Sequence, residues 1–193
     1  FQVEGRYLKF GIDLNQPIIR SRTKNLFSTL RFDYLNLKSN NIVDTFTTQD
    51  EIAAIRLGLN YNNLDTIWKP AINEFAVQIS QGINVLDAST INDPNLTRSD
   101  GDPQFTKIEG TLSRTQTISN QINLYTALKG QLSNNPLLSS EEIGFGGRFF
   151  GRGYNPSEIV GDDGFGATIE ARWKPDTVDN YEIFAFYDIG KIW

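Results

Sequence analysis

Apolar and polar residues alternate with a period of two along almost the whole chain. That period belongs to strands that turn one apolar and one polar face outward. In the first strand Leu8, Phe10, Ile12 and Leu14 share a face, opposite Tyr7, Lys9, Gly11 and Asp13. The second sets Leu30, Phe32 and Tyr34 against Thr29, Arg31 and Asp33. The third sets Ala53, Ile55, Leu57, Leu59 and Tyr61 against Arg56, Gly58 and Asn60. The fourth sets Phe75, Val77 and Ile79 against Glu74, Gln78 and Ser80. The fifth, from Lys107 to Arg114, is less regular, with Ile108 and Leu112 opposing Lys107, Glu109 and Ser113. The sixth sets Ile122, Leu124 and Leu128 against Asn123, Tyr125, Lys129 and Gln131. The last two carry Phe165, Ala167, Ile169, Ala171 and Trp173, then Ile183, Ala185, Tyr187 and Ile189, on their apolar faces. The pattern predicts about eight strands, each near the ~10 residues that a tilted membrane strand needs.

A soluble sandwich also alternates, with its apolar face inward. Two features favour a membrane barrel. Charges and glycines interrupt the polar face of nearly every strand, as a crowded or wet lumen requires. The connections also alternate in length. Asn15–Asn25, Asn62–Ala71, Thr115–Asn120 and Lys174–Asn180 read as the tight ones, and Ser39–Asp50, Gly82–Gln104 and Ser133–Gly164 as the mostly longer ones. Short turns on one side and long loops on the other are the habit of transmembrane barrels. Tyr34, Tyr61, Trp68 and Trp173 near strand ends are candidates for interface girdles. The expected fold is therefore all-β: part of a transmembrane antiparallel β-barrel, about eight strands of a larger one, with one long loop whose inward folding is implied by the family resemblance described below. Residues 1–193 form part of one barrel domain, and residues 139–164 form the loop. The text is strand-like at both ends, so further strands are expected outside it.

Composition narrows the chemistry. The mean hydropathy is −0.35, and no run of ~18 apolar residues provides a membrane helix. A barrel tolerates that average because its lumen face is polar. The 23 acidic residues outnumber the 18 basic ones, a net charge of −5 that argues against nucleic acid as partner. There are no Cys and no His, which removes disulfides, the commonest zinc ligands and a Ser-His-Asp triad. No enzyme activity, cofactor or metal is expected.

The segment Ser139–Gly164, SSEEIGFGGRFFGRGYNPSEIVGDDG, is the least ordinary. It is glycine-rich, yet no Gly-Lys-Ser/Thr follows and no G-x-G-x-x-G opens a helix, so no nucleotide is expected. Asp162, Asp163, Glu158 and Asp176 fit no calcium loop and read as solvated loop carboxylates. Arg152 stands between two glycines, where a long side chain can extend. Asp188 lies on the polar face of the last strand, in phase with Phe186. A lumen carboxylate invites an inward-folded arginine, whose planar fork fits carboxylate and stacks on an aromatic face.

At these residues the chain resembles a known family. LSRTQ (Leu112–Gln116), LKGQLS (Leu128–Ser133), LSSEEIGFGG (Leu138–Gly147), RGY (Arg152–Tyr154), GDDG (Gly161–Gly164) and FYDIGKIW (Phe186–Trp193), with PIIRSRTKNL (Pro17–Leu26) upstream, are similar to the transporters of two-partner secretion, the haemolysin secretion/activation type of the Omp85 superfamily. The resemblance implies that the long loop is a lid with Arg152, Gly153 and Tyr154 at its tip. It implies a barrel-wall receptor of Asp188, Phe186 and Glu170. Gly146, Gly147, Gly161, Asp162 and Gly164 would shape the loop. The tip departs from the family in having Gly151 before the arginine, where a β-branched residue is common, and Phe149–Phe150 before that. The implied function is an outer-membrane pore that exports a large exoprotein, an adhesin or haemolysin, after periplasmic POTRA modules recognise it. Its partners would be that exoprotein and outer-membrane lipid. An outer-membrane protein insertase of the same superfamily and a passive porin remain as alternatives.

Overall fold

A computed structural model describes residues 3–41, 46–176 and 181–193. Eight long strands form one antiparallel sheet, each hydrogen-bonded to the strand before it. They are β1 (Val3–Arg20), β2 (Lys24–Asn41), β3 (Phe46–Asp65), β4 (Ala71–Ile83), β5 (Thr106–Thr117), β6 (Ile122–Ser133), β9 (Gly164–Trp173) and β10 (Ile183–Ile192). Between β6 and β9 the long loop contains a small hairpin, β7 (Ile143–Phe145) and β8 (Ile159–Gly161). In the described residues β1 and β10 are the edges of the sheet, so the chain is an arc of barrel wall.

The alternation sets the two faces. Leu14, Leu30, Leu57, Ile79, Ile108 and Leu132 are ladder partners in sequence across six strands. All are exposed and apolar, because their face meets lipid and no protein covers it. Leu14 closes the apolar run of β1 towards the short turns, whereas Leu132 closes that of β6 towards the long loops. A ladder row thus crosses the apolar band diagonally, as strand tilt requires. The band stops near the short turns at an outward polar cluster. There Arg114 donates to Asp65 at 2.7 Å and to Asn73 at 2.5 Å. Trp68 and Trp173 lie exposed at the same end.

The strands outrun the apolar pattern, which corrects the expected connections. β1 continues past Asn15 through a bulge between Pro17 and Ile19 to a turn at Ser21. Proline has no N–H for the ladder, and a bulge absorbs the loss. The stretch Ser39–Asp50 is mostly ladder, with Lys38 opposite Gln49 and Asn40 opposite Thr47. Its residues are polar on both faces, so this ribbon stands in water above the bilayer and alternation cannot report it. Residues 42–45 of that connection, and 177–180 of Lys174–Asn180, lie outside the described residues. Tyr34 is a second correction: it is buried beside Ala53 and Ala88 and stacks on Phe10 at 5.3 Å, so it is no girdle residue.

The loop between β4 and β5, residues 84–105, bonds along the upper edge of β3, where Gln49 N–H donates to the Asn95 carbonyl at 2.6 Å. Leu96 and Phe105 of this loop meet Leu137 and Leu138 of the next long loop. They pack over Leu35, Ile52 and Ala54 on the inner wall. This small dry core caps the inside of the arc at the end that carries the long loops.

Candidate functional site

The inner face of β9 and β10 is built to receive the loop. Gly164, Gly166 and Gly190 lie on it, and each is in the space of a side chain from the β7 strand. A Cβ on Gly164 would stand 2.9 Å from Ile143, and one on Gly190 would stand 3.2 Å from the Phe145 ring. The glycines thus form a flat seat for Phe145, which is itself 3% exposed. The interrupting glycines of the polar face are here a packing device; they do not simply mark a wet lumen.

Beyond Phe145 the chain turns through Gly146 (φ +119°), Gly147 (φ +88°), Gly151 (φ +80°) and Gly153 (φ +97°), a backbone region that side chains disfavour. Gly151 fits where a β-branched residue would not: its Cβ would stand 3.1 Å from the backbone of Gly146. Phe150 packs edge-on against Phe145 at 6.2 Å, and its carbonyl accepts from Gly146 N–H. These two features place Arg152 over β9 and β10.

Arg152 uses its backbone and its whole guanidinium. Its N–H and Nε donate to Asp188 Oδ2 at 2.8 and 3.0 Å, and Nη2 donates to Asp188 Oδ1 at 2.9 Å. Nη2 also reaches Thr168 Oγ1 at 2.8 Å, and Nη1 donates to Glu170. The guanidinium carbon stands 3.7 Å from the centroid of Phe186. Gly151 N–H adds a bond to Asp188, and Arg172 adds one to Glu170. Ladder pairing explains the set, since Asp188 opposes Thr168 and Phe186 opposes Glu170 on one face. Tyr154 behaves differently. Its side chain is exposed and makes no hydrogen bond to the wall, while its backbone closes the turn to Gly147 and Gly151. Gly153 has open space around it.

A second anchor was not assigned any role from sequence. Glu141, in the turn before β7, is buried. It accepts from Arg56 at 2.6 and 3.0 Å, and Lys107 Nζ lies 2.8 Å from it. Arg56 also holds Asp33 at 2.9 Å. This network ties the loop to β2, β3 and β5. Burial opposes ionisation of Glu141, but Arg56 and Lys107 prevail and hold its carboxyl below the usual range. The only hint in the sequence was that Arg56 and Lys107 occupy the lumen face among smaller polar groups.

A third anchor corrects the reading of Asp162 and Asp163 as solvated, whereas Glu158 and Asp176 are exposed. Arg98 of the β4–β5 loop holds Asp162 at 2.5 Å and Glu142 at 3.1 Å. Asp162 also accepts from Leu137 N–H at 2.9 Å, and Asp163 accepts from Ser133 N–H at 2.6 Å. Gly161 lies against Ile192 of β10. Among the described residues no cluster of acids has the layout of a metal site.

The sequence matches the family described as haemolysin secretion/activation protein ShlB/FhaC/HecB over residues 1–193. The chain belongs to this family. That membership places the wall of this ShlB/FhaC/HecB-family chain in the bacterial outer membrane. No curated protein sequence matches it. Among solved structures it is similar to CdiB from Escherichia coli, with a TM-score of 0.75 at 15% identity over 97% of this chain. At that identity the likeness speaks for the fold alone, an antiparallel barrel wall. The chain spans about a third of that structure's length, 34%.

Proposed function

We propose that this chain is wall and lid of an outer-membrane pore that exports a large exoprotein, an adhesin or haemolysin, in two-partner secretion. Family membership supports the reading. The observation that carries it is the triple anchoring of the loop inside the arc, by Arg152 to Asp188 and Glu170, by Glu141 to Arg56 and Lys107, and by Asp162 to Arg98. A passive porin needs an open, charge-ringed lumen; this lumen face carries a bonded lid. In this proposal Arg152, Gly153 and Tyr154 are the lid tip, and Asp188, Phe186 and Glu170 are its receptor. Gly146, Gly147, Gly161, Asp162 and Gly164 shape the lid. The partners are the exoprotein and the lipid around the apolar band.

The test is made in cells that make the full-length protein. Deleting its gene is expected to remove one large protein from the medium while the other outer-membrane barrels keep their abundance. A general fall in barrel abundance, with the medium unchanged, would replace this reading by membrane-protein insertion.

A further inference from the structure

The outward, lipid-facing side of the wall carries a hollow. Gly110 and Gly130 are ladder partners there. They belong to an outward row that runs Leu59, Val77, Gly110, Gly130, Phe165 and Lys191 from β3 to β10. In the adjoining outward rows the same two strands carry large residues, Ile108 opposite Leu132 and Leu112 opposite Leu128. The two glycines therefore floor a cleft of about 480 Å³, walled by Val77, Ile108, Leu132, Phe165 and Trp193. Ligand clefts in general hold about 300–1,000 Å³.

The fold does not demand glycine at position 130. Its φ is not positive. A Cβ there would stand 3.5 Å from the Gly164 carbonyl oxygen, an ordinary contact, with the Phe165 ring at 3.9 Å. Gly164, Gly166 and Gly190 differ, because the lid occupies the space beside them. Glycine weakens a strand interior and often marks a place where a ligand approaches the backbone.

The row climbs towards the long loops. Leu59 lies within β3, whereas Phe165 is the second residue of β9 and Lys191 the last but one of β10. Above Ile79 and Ile108 the next outward partners are Gln81 and Thr106, which end the apolar band. Gly110 lies four positions below Thr106, about 13 Å along the strand at about 3.3 Å per residue. The cleft thus sits at the depth of acyl chains beneath the headgroups. Lys191 is exposed, shares the outward face with Tyr187 and Ile189, and is the ladder partner of Phe165. A lysine at that height lays its stem on apolar surface and sets its ammonium among headgroups.

We propose that this cleft binds lipid A, the phosphorylated glycolipid of the cell-surface leaflet, with one acyl chain over Gly110 and Gly130 and a phosphate on Lys191. The family places the wall in the bacterial outer membrane, and the long loops of such barrels face the cell surface. A lipid is the occupant because the walls are apolar, the hollow lies at acyl-chain depth and the charge at its upper end is a cation. A second copy of this wall offers Lys191 no phosphate. The inference is independent of what the pore exports.

The experiment uses the full-length protein, stripped of lipid in mild detergent and titrated with lipid A or with phosphatidylglycerol. Native mass spectrometry counts the bound lipid, and heat-modifiable mobility checks that each variant is folded. Wild type is expected to hold one lipid A. Gly130→Leu fills the floor and should weaken retention at least tenfold, and Lys191→Gln at least threefold. Leu57→Ala, on the outward face of β3 away from the cleft, should change nothing. If Gly130→Leu does not fold, Gly130→Ala serves in its place, with at least a twofold loss expected. Equal retention of lipid A by the wild type and the folded Gly130 variant overturns the proposal. So does phosphatidylglycerol held as tightly as lipid A, or a lipid-free dimer that the Gly130 variant dissolves.

Discussion

The ring of Phe145 occupies the space that a side chain at position 166 would need. Gly166 lies opposite Gly190 on the paired strands, and both sit beneath that ring. The absence of two side chains on the wall is therefore matched to the presence of one on the lid. Overpacking such a contact costs about 1–3 kcal/mol. Gly166→Val should leave the strand in place, since valine favours strands, and unseat the β7 hairpin. Limited proteolysis of intact cells should then cut within residues 139–164 at least tenfold faster. Adding Phe145→Ala should restore some protection, because the clash disappears. Equal cutting in wild type and Gly166→Val would remove the seat from the account of the lid.

Arg152 presents a sharper case. Its side chain lies between Asp188 and Glu170, whose side chains are 4% and 6% exposed. Arg152→Ala leaves these two carboxylates close together without their shared cation. Breaking a buried pair costs about 3–5 kcal/mol, and water in the lumen lowers that figure. The loss falls on lid docking, because the wall ladders do not use Arg152. Exoprotein in the medium should drop at least tenfold while heat-modifiable, folded barrel in the membrane stays within twofold. Arg152→Lys should recover little, since an ammonium cannot bond both carboxylates and stack on Phe186 as the planar fork does. Full secretion by Arg152→Ala would show that the contact is dispensable.

Glu141 links the lid to pH. Its carboxyl is held below its ordinary value of 4.5 by Arg56 and Lys107 against the cost of burial. A group with a depressed folded value adds stability above its unfolded value and loses it as pH falls through the folded one. The anchor should therefore be complete at pH 5 and above and weaken only well below pH 4.5. Protease cutting near residues 139–142, followed against pH with an acid-active protease, should stay flat from pH 7 to 5 and rise below 4. Glu141→Gln should cut fast at every pH, because Arg56 and Lys107 lose the carboxylate they share and Arg56 keeps only Asp33. A transition centred near pH 6 in the wild type would exclude Glu141 as its origin.

The legible and illegible parts of this chain differ in kind. All eight wall strands were readable, because lipid and lumen impose opposite demands on alternate residues. Strand lengths were not, because the β2–β3 ribbon has water on both faces and Asn40 and Thr47 need no apolar partner. Where the long loop meets the wall, Arg152, Asp188 and Glu170 stood out through charge, phase and resemblance. Glu141 did not, since an acid in a polar loop has the same appearance whether solvated or clamped. Only the fold brings Arg56, 85 residues earlier, to its side. Asp162 was misread as solvated for the same reason: its partner Arg98 belongs to another loop.

The assignment of the two faces can be tested directly. Ile169 is exposed near the middle of β9, and the preceding residue Thr168 faces the buried side under Arg152. Ile169→Arg places a charge in hydrocarbon, which costs about 2–4 kcal/mol near the bilayer midplane. Gln78→Arg places the same charge in the lumen beside Glu109, which accepts from Gln78 Nε2 at 3.0 Å, and there water and a carboxylate offset it. The folded fraction of each variant, read by heat-modifiable mobility after refolding into phosphatidylcholine vesicles across a urea series, should separate them. Ile169→Arg should shift the midpoint down clearly, and Gln78→Arg should leave it nearly unchanged. The opposite order would mean that the apolar face is turned inward, and the lid contacts with the polar face would then lie outside the pore.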